Sequence, residues 1–332
     1  MTKYSLSELH DLAVAILTAS ETSADNAAAV ARALIKADAD GIPSHGVFRL
    51  PSYADQAKSG KVDGFAVPEV TFPRAASVRI DARSGFAYPA IEAAHEAACD
   101  KVKEMGIVGV AIGNSHHSGV AGHHVEAFAR EGLVALGFSN SPAGIAPWGG
   151  NRPIFGTNPV AFACPRIDAE PIVADFSTAK VARGKIKLAA DRGETIPDDW
   201  AVDSEGNPTT DPKAALAGWS LPMGDAKGSA LVLMVEILSA TLTGSNFGFE
   251  ASSFFEGEGA PPNVGQFFIV IDPTVFSGGQ FAERMEVLAE AILSQPGTRL
   301  PGVRRHDIRA ASEKDGVDVP DGLMTELRER AG

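Results

Sequence analysis

Residues 107–139 read IVGVAIGNSHHSGVAGHHVEAFAREGLVALGFS. Two apolar runs, IVGVAIG and LVALGFS, enclose a polar connection and a helical stretch over Val125–Glu131. Short continuous apolar runs of this kind mark strands buried inside an α/β sheet. Upstream, SVRIDA (77–82) reads as a further strand and the alanine-rich stretch Ala90–Met105 as a helix. The alternation predicts an α/β layered fold. The connection itself, GNSHHSGVAG (113–122), places glycine, serine and alanine directly after a histidine pair. Backbone without bulky side chains approaches a ligand closely, and imidazole titrates near neutral pH, so the segment points to an enzyme.

Working outward, the N-terminal region is expected to be helical. Ser5 and Glu8 form a capping box, with Leu6, Leu9, Leu12 and Ala13 on one face. A second helix is expected from about Ala24 to Asp38, ended by Gly41, after which a Pro43 loop presents Ser44 and His45. Residues 140–228 are rich in Pro, Gly, Asn, Asp and Thr and carry the short strand signals PVAFACP and IVADFS. Functional loops are expected there. A helix is predicted from Ser229 to about Leu242, a strand at QFFIVIDP and a helix over Gln280–Ser294, followed by a polar tail from Thr298.

The chain has 332 residues, 45% of them hydrophobic and 21% charged, so a globular protein of two domains is the expectation. A net charge of −13 disfavours nucleic acid and anionic membranes as partners. Two distant cysteines, Cys99 and Cys164, suit a reducing compartment, and MTKYSLSELHDL lacks the apolar core of a signal peptide. A cytoplasmic protein is expected.

Several residues carry candidate chemistry. His45 has a pKa range suited to protonating a nascent alkoxide, and Ser44 beside it could orient the ring. Arg49, four residues on, presents a planar fork that matches a carboxylate. A loop-stabilising histidine and a surface arginine are the plain alternative. His116, His117, His123 and His124 could be read as a metal site, but HExxH and CxxC are absent, and adjacent histidines on a strand point to opposite faces. They could instead belong to a phosphate or nicotinamide cradle, with backbone N–H groups at Ser118, Gly119, Ala121 and Gly122, or simply to a tight strand-to-helix connection. Thr157 and Asn158 precede a buried strand, DFST opens a turn at Asp175, ARGK brings Arg183 and Lys185, and Lys227 stands at a helix start. No GxGxxG and no GxxxxGK[ST] occurs, so any dinucleotide is bound without the usual fingerprint.

At SHGVFRLPSY, GNSHHSGVAG, IFGTNPVAF, IVADFST, GDAKGSALVLMVEIL and RLPGVRR, in that order and over essentially the whole chain, the sequence resembles the type-2 malate/L-lactate dehydrogenases. That family also holds sulfolactate and ureidoglycolate dehydrogenases and the reductases of Δ1-pyrroline- and Δ1-piperideine-2-carboxylate. The resemblance implies a non-Rossmann dinucleotide-binding α/β fold with a mixed sheet, NAD(P)H as cofactor and a homodimer. Residues 1–75 would form a helical N-terminal region, residues 76–115 with 280–332 an α/β substrate-side domain, and residues 116–279 the NAD(P)-binding domain.

It further implies His45 as proton donor, Ser44 as its relay neighbour and Arg49 as the carboxylate clamp, with His116 or His117 competing for the acid/base role. Thr157, Arg183 and Gly184 would line the substrate pocket. His117, Ser118, Gly119, Val120, Ala121, Asp175, Phe176, Ser177, Lys227, Pro301, Gly302, Arg304 and Arg305 would contact the cofactor. NADH against NADPH stays open; Arg304 or Arg305 near the adenosine ribose would favour the 2′-phosphate. Lys185 stands where the imine reductases carry an aspartate, and SGVAGHH is richer in glycine than their counterpart. Both departures favour a small 2-oxo acid, reduced to a 2-hydroxy acid of malate, lactate or sulfolactate type. Cyclic imino acid reduction is the alternative, a metal-dependent hydrolase on the His116–His124 cluster the rival from another class, and a catalytically inactive binding protein a third.

Overall fold

A computed structural model describes residues 2–331. The chain opens with the short strand β1 (Thr2–Tyr4) and the helices α1 (Leu6–Thr18) and α2 (Ala24–Ala39). The Ser5 hydroxyl accepts from the Glu8 N–H while the Glu8 carboxylate accepts from the Ser5 N–H, completing the capping box. Two 3₁₀ turns, Pro43–His45 and Val47–Arg49, lead into α3 (Leu50–Lys58). Leu9, Ile16, Leu34, Leu50 and Tyr53 form the core of this helical layer.

Next come β2 (Glu69–Arg74), β3 (Ser77–Asp81), α4 (Ala87–Met105), β4 (Ile107–Ser115), α5 (Ala121–Arg130), β5 (Val134–Ser139), β6 (Val160–Cys164) and β7 (Ile172–Phe176). A looped excursion carries α6 (Arg183–Arg192), β8 (Ala201–Val202), α7 (Pro212–Ala217) and β9 (Trp219–Ser220). Helix α8 (Asp225–Glu236) runs on through a π-helical turn, Ile237–Thr241, and β10 (Val264–Ile271) follows. The helix starts earlier than the sequence suggests, because left-handed Gly224 lets it begin before the apolar run.

The strands form one seven-stranded mixed sheet ordered β2-β3-β4-β10-β5-β6-β7. Only the β3–β4 pairing among these is parallel. Val108, Val110 and Ile112 of β4 alternate into a core closed by Ala90, Ala94 and Val102 of α4 and Val125 and Phe128 of α5. Strands from residues 77–115 and 134–271 therefore share a single sheet.

The polar tail is more structured than its composition suggests. It forms α9 (Pro273–Ser277), α10 (Phe281–Leu293), α11 (Val303–Asp315), β11 (Val317–Val319) and α12 (Asp321–Ala331). Ala289 of α10 packs with Cys164 and Ile172 against the sheet. β11 pairs antiparallel with β1, and Met324 and Leu327 complete the N-terminal helical core. Among the described residues no helix is long and apolar enough to cross a membrane.

Candidate active site

The Pro43–Arg49 segment is fixed by α2. Asp38 accepts the Val47 N–H at 2.8 Å, and a Cβ on Gly46 would lie 1.9 Å from the Asp38 carboxylate, so only glycine lets the turn close on it. Burial raises Asp38 to about 7, against the pull of the Val47 N–H. The turn sets Ser44 Oγ 3.0 Å from His45 Nδ1, leaving Nε2 as the free ring nitrogen. Arg49 is buried and donates from Nε to the Ser44 carbonyl at 2.9 Å. Its Nη1 is buried without a partner, and its guanidinium lies 4.3 Å from the Phe255 ring centre.

The end of β4 brings the histidine pair to the same place. His117 lies 5.4 Å from His45 between ring centroids, and its Nδ1 is 2.6 Å from the Tyr53 hydroxyl, itself 3.2 Å from Tyr88. His116 is buried among Tyr53, Phe86 and Phe254, both ring nitrogens lacking partners. Burial, then the Arg49 charge, holds His45 down at about 4. Burial, then Lys61 and Arg49, takes His116 to about 3, and His117 is likewise well below its usual range. The Arg49 and Lys61 charges thus act on a set of largely buried imidazoles whose charged form is disfavoured. An unpaired buried guanidinium donor calls for an anion.

The four histidines do not converge. His123 Nε2 lies 2.8 Å from Asp40, His124 Nε2 lies 2.7 Å from the Ser118 carbonyl, and His117 turns to Tyr53. The metal-hydrolase reading has no geometric support, since each ring already has a different partner or pocket. The start of α5 is also not a free anion cradle: the Gly122 N–H donates to Asp175 Oδ2 at 2.9 Å.

A cleft of about 670 Å³ is lined by Asp40–Ile42 of the segment that leads to the His45 turn, by Val173–Phe176 of β7 and by residues 299–302, Arg304 and Arg305 with Ile308. The Pro301 carbonyl accepts the Val173 N–H, and Gly302 sits at φ +97° with β7 close behind it. Arg305 donates to Asp175 at 3.2 Å while its Nη1 is buried and unpartnered. Three arginines against two carboxylates, one guanidinium nitrogen unused, fit an anionic dinucleotide. Asp175, Phe176, Pro301, Gly302, Arg304 and Arg305, which the resemblance assigned to the cofactor, come together in this cleft.

Behind this cleft lies a buried ion network. Arg309 bridges Asp40 (Nη2, 2.8 Å) and Glu126 (Nη1, 2.6 Å), and Glu126 also meets Arg130 and Lys36. Burial raises both carboxyls, but hydrogen bonds from Arg309 and His123 bring Asp40 to about 2, and Arg309 with the other cations holds Glu126 well below its normal range.

Other expected residues lie apart from these contacts. The Thr157 N–H donates to Ser141, and its carbonyl accepts from Thr178. The neighbouring Asn158 is bound to buried Glu236 at 2.6 Å. Arg183 donates to the Leu216 carbonyl across α6 and α7, Gly184 is exposed beside it, and Lys227 is exposed on the first turn of α8. Ser118 is buried near Ser139, and Gly119, Val120 and Ala121 form the connection into α5. Ser177 directly follows β7 and is not among the residues lining the cleft.

Sequence reading missed Asp38, Tyr53, Lys61, Phe254 and Phe255. Tyr53 was detectable: it follows Arg49 by four residues, which puts both on one helix face.

A family model described as malate/L-lactate dehydrogenase matches residues 4–328. Over 324 residues the chain is 53% identical to "(2R)-3-sulfolactate dehydrogenase (NADP(+))" of Chromohalobacter salexigens, covering 98% of this chain and 96% of that one. It is 44% identical over 330 residues to the "Delta(1)-pyrroline-2-carboxylate/Delta(1)-piperideine-2-carboxylate reductase" of Pseudomonas putida, covering 98% and 96%. Among solved structures, the Δ1-piperideine-2-carboxylate reductase of Pseudomonas syringae superposes with a TM-score of 0.94 at 42% identity, covering 99% of this chain and 100% of that one. The sulfolactate dehydrogenase of Methanocaldococcus jannaschii does so with 0.92 at 30%, covering 99% and 96%. With this fold and matches over nearly its full length, the chain belongs to the malate/L-lactate dehydrogenase family of oxidoreductases.

Proposed function

We propose that this protein is an NADPH-dependent reductase of a small 2-oxo acid of the sulfopyruvate, oxaloacetate or pyruvate type, forming the 2-hydroxy acid, with NADH as the less favoured cofactor. The observation that carries it is the buried Arg49 guanidinium with a free Nη1 beside His45. The 53% identity to an NADP(+)-dependent sulfolactate dehydrogenase supports both the substrate class and the cofactor.

Arg49 clamps the substrate carboxylate, aiming C2 at the rim where the Asp40–Ile42 wall runs into the His45 turn. The bound cofactor supplies a hydride to C2. His45 Nε2 gives the proton to the C2 oxygen, and Ser44 holds the other ring nitrogen. Burial, and after it the Arg49 charge, holds the His45 pKa down; a carboxylate on Arg49 offsets the second of these and favours the protonated ring that must donate. His116 or His117 takes the acid role if His45 does not. The arginines of the Arg299–Arg305 loop hold the cofactor phosphates, Asp175, Phe176 and Ser177 border it, and His117–Ala121 flank its nicotinamide end. Thr157, Arg183, Gly184 and Lys227 are assigned to the rim of the same site.

Reduction of cyclic imino acids is a second reading, favoured by the 0.94 TM-score to the Δ1-piperideine-2-carboxylate reductase. Oxidation of NADPH and of NADH against pyruvate, oxaloacetate, sulfopyruvate, Δ1-pyrroline-2-carboxylate and Δ1-piperideine-2-carboxylate decides. Open-chain turnover is expected; turnover of the cyclic imines alone replaces the first reading with the second.

We place the enzyme in the cytoplasm as a homodimer. The exposed apolar side chains Leu233, Met234, Ile237 and Leu242 along α8 and its π turn suit a second copy. Sedimentation equilibrium reporting a monomer would remove that assignment.

A further inference from the structure

Lys61 is only 1% exposed, and it spends its whole hydrogen-bonding capacity on one loop. Its Nζ donates to the carbonyls of Ser253, Glu256 and Glu258 at 2.7, 2.9 and 3.1 Å. An ammonium has three protons, and all three are used. Gln56 of α3 adds a second strap, donating from Nε2 to the carbonyls of Phe254 and Glu256 at 3.0 Å each. The strapped loop carries two aromatic rings to the site. Phe254 is buried, 4.9 Å from the His117 ring and 5.5 Å from the His116 ring. Phe255 is 64% exposed yet stacks on Arg49. An exposed phenyl ring held over a buried cation needs its backbone fixed, since solvent-facing aromatics otherwise sample several rotamers.

We propose that Lys61 is a positioning residue for substrate capture: it fixes the Ser253–Glu258 loop so that Phe255 orients the Arg49 fork and Phe254 walls the histidine pair. Lys61 touches neither substrate nor cofactor; it acts through Phe255 and Arg49. The role rests on the proposed function of Arg49 as carboxylate clamp.

The test compares Lys61→Met, Gln56→Met, Phe255→Ala and the Lys61→Met/Phe255→Ala double variant. Each single change is expected to raise the KM for the 2-oxo acid about three- to tenfold, with a smaller fall in kcat and an unchanged NADPH Kd by fluorescence titration. The double variant should be no worse than the more affected single, because both remove one coupling. Unchanged KM in folded Lys61→Met, or fully additive effects in the double variant, overturns the proposal. If Lys61→Met does not fold, Phe255→Ala and Gln56→Met decide, and normal KM values in both overturn it. A thermal-shift titration with the corresponding 2-hydroxy acids reads carboxylate capture without turnover. A wild-type protein inactive on every substrate therefore refutes the proposed function, while loss or retention of that shift in the variants still decides the role of Lys61.

Discussion

His45 and His117 face one another at 5.4 Å, each ending a different hydrogen-bonded chain. His45 leans on Ser44, at the protein rim, and His117 on the Tyr53 hydroxyl, in the helical core. The His45 ring, held only by the exposed Ser44 hydroxyl, is the better placed to exchange protons with substrate and water. Replacing His45 by alanine is expected to lower kcat about 10²–10⁴-fold while the NADPH Kd stays within about twofold. Near-normal turnover in His45→Ala, with collapse in His117→Asn, would transfer the acid role.

Arg49 both binds and tunes. Its replacement by lysine should raise the substrate KM more than it lowers kcat, since a point charge cannot supply the two parallel donors of the fork. Burial first and the Arg49 charge second hold His45 down, so Arg49→Met should raise its pKa, and the alkaline limb of kcat/KM for reduction, on which the donor loses its proton, should move to higher pH. A limb that stays in place shows that the two groups are not electrostatically coupled.

Acid should unfold this protein unusually early. His45, His116, His123 and His124 have folded pKa values lowered to about 4, 3, 3 and 4, mainly by burial, and His117 shifts the same way. A histidine buried neutral contributes stability that is present above its unfolded pKa, about 6.5, and is lost as pH falls through the folded value. Each such group costs about 1.4 kcal/mol per pH unit within that window. Asp38, raised to about 7, works in the opposite direction, because its stabilising effect is present at low pH and is lost as pH rises. Urea denaturation from pH 7.5 to 4.5 should show stability falling with a slope set by several protons; a flat profile contradicts the burial of these rings.

The Glu126 carboxylate receives Arg309, Arg130 and Lys36 in a site where its side chain has no exposure. Glu126→Gln leaves three cations facing a neutral amide, and a loss of about 3–5 kcal/mol is expected from denaturant titration. A loss under about 1 kcal/mol means that water has taken over the carboxylate's role.

Much of this was legible in the sequence. The apolar runs at 107–113 and 133–139 locate central strands, and SHGVFR locates the turn with His45 and Arg49, because local periodicity and turn chemistry determine both. What sequence could not supply was partnership at a distance. Nothing near Gly122 announces that its helix start is already capped by Asp175 from another strand. Nothing in the polar tail announces β11, whose three residues gain their structure by pairing with β1. Lys61 looks like an ordinary surface lysine until a loop nearly two hundred residues later folds over it.

The β1–β11 pairing also sets an order of events in biosynthesis. The first strand of the chain has no partner until residues 317–319 have been made, and the N-terminal helices lack Met324 and Leu327 until then. Arg305 and Arg309, which border and brace the cleft, belong to the same late segment. A nascent chain stalled before residue 300 would hold His45 and Arg49 in an unfinished helical layer, so that catalytic competence waits on residues 300–327 and a chain cut short there is a substrate for proteolysis, not a weak enzyme.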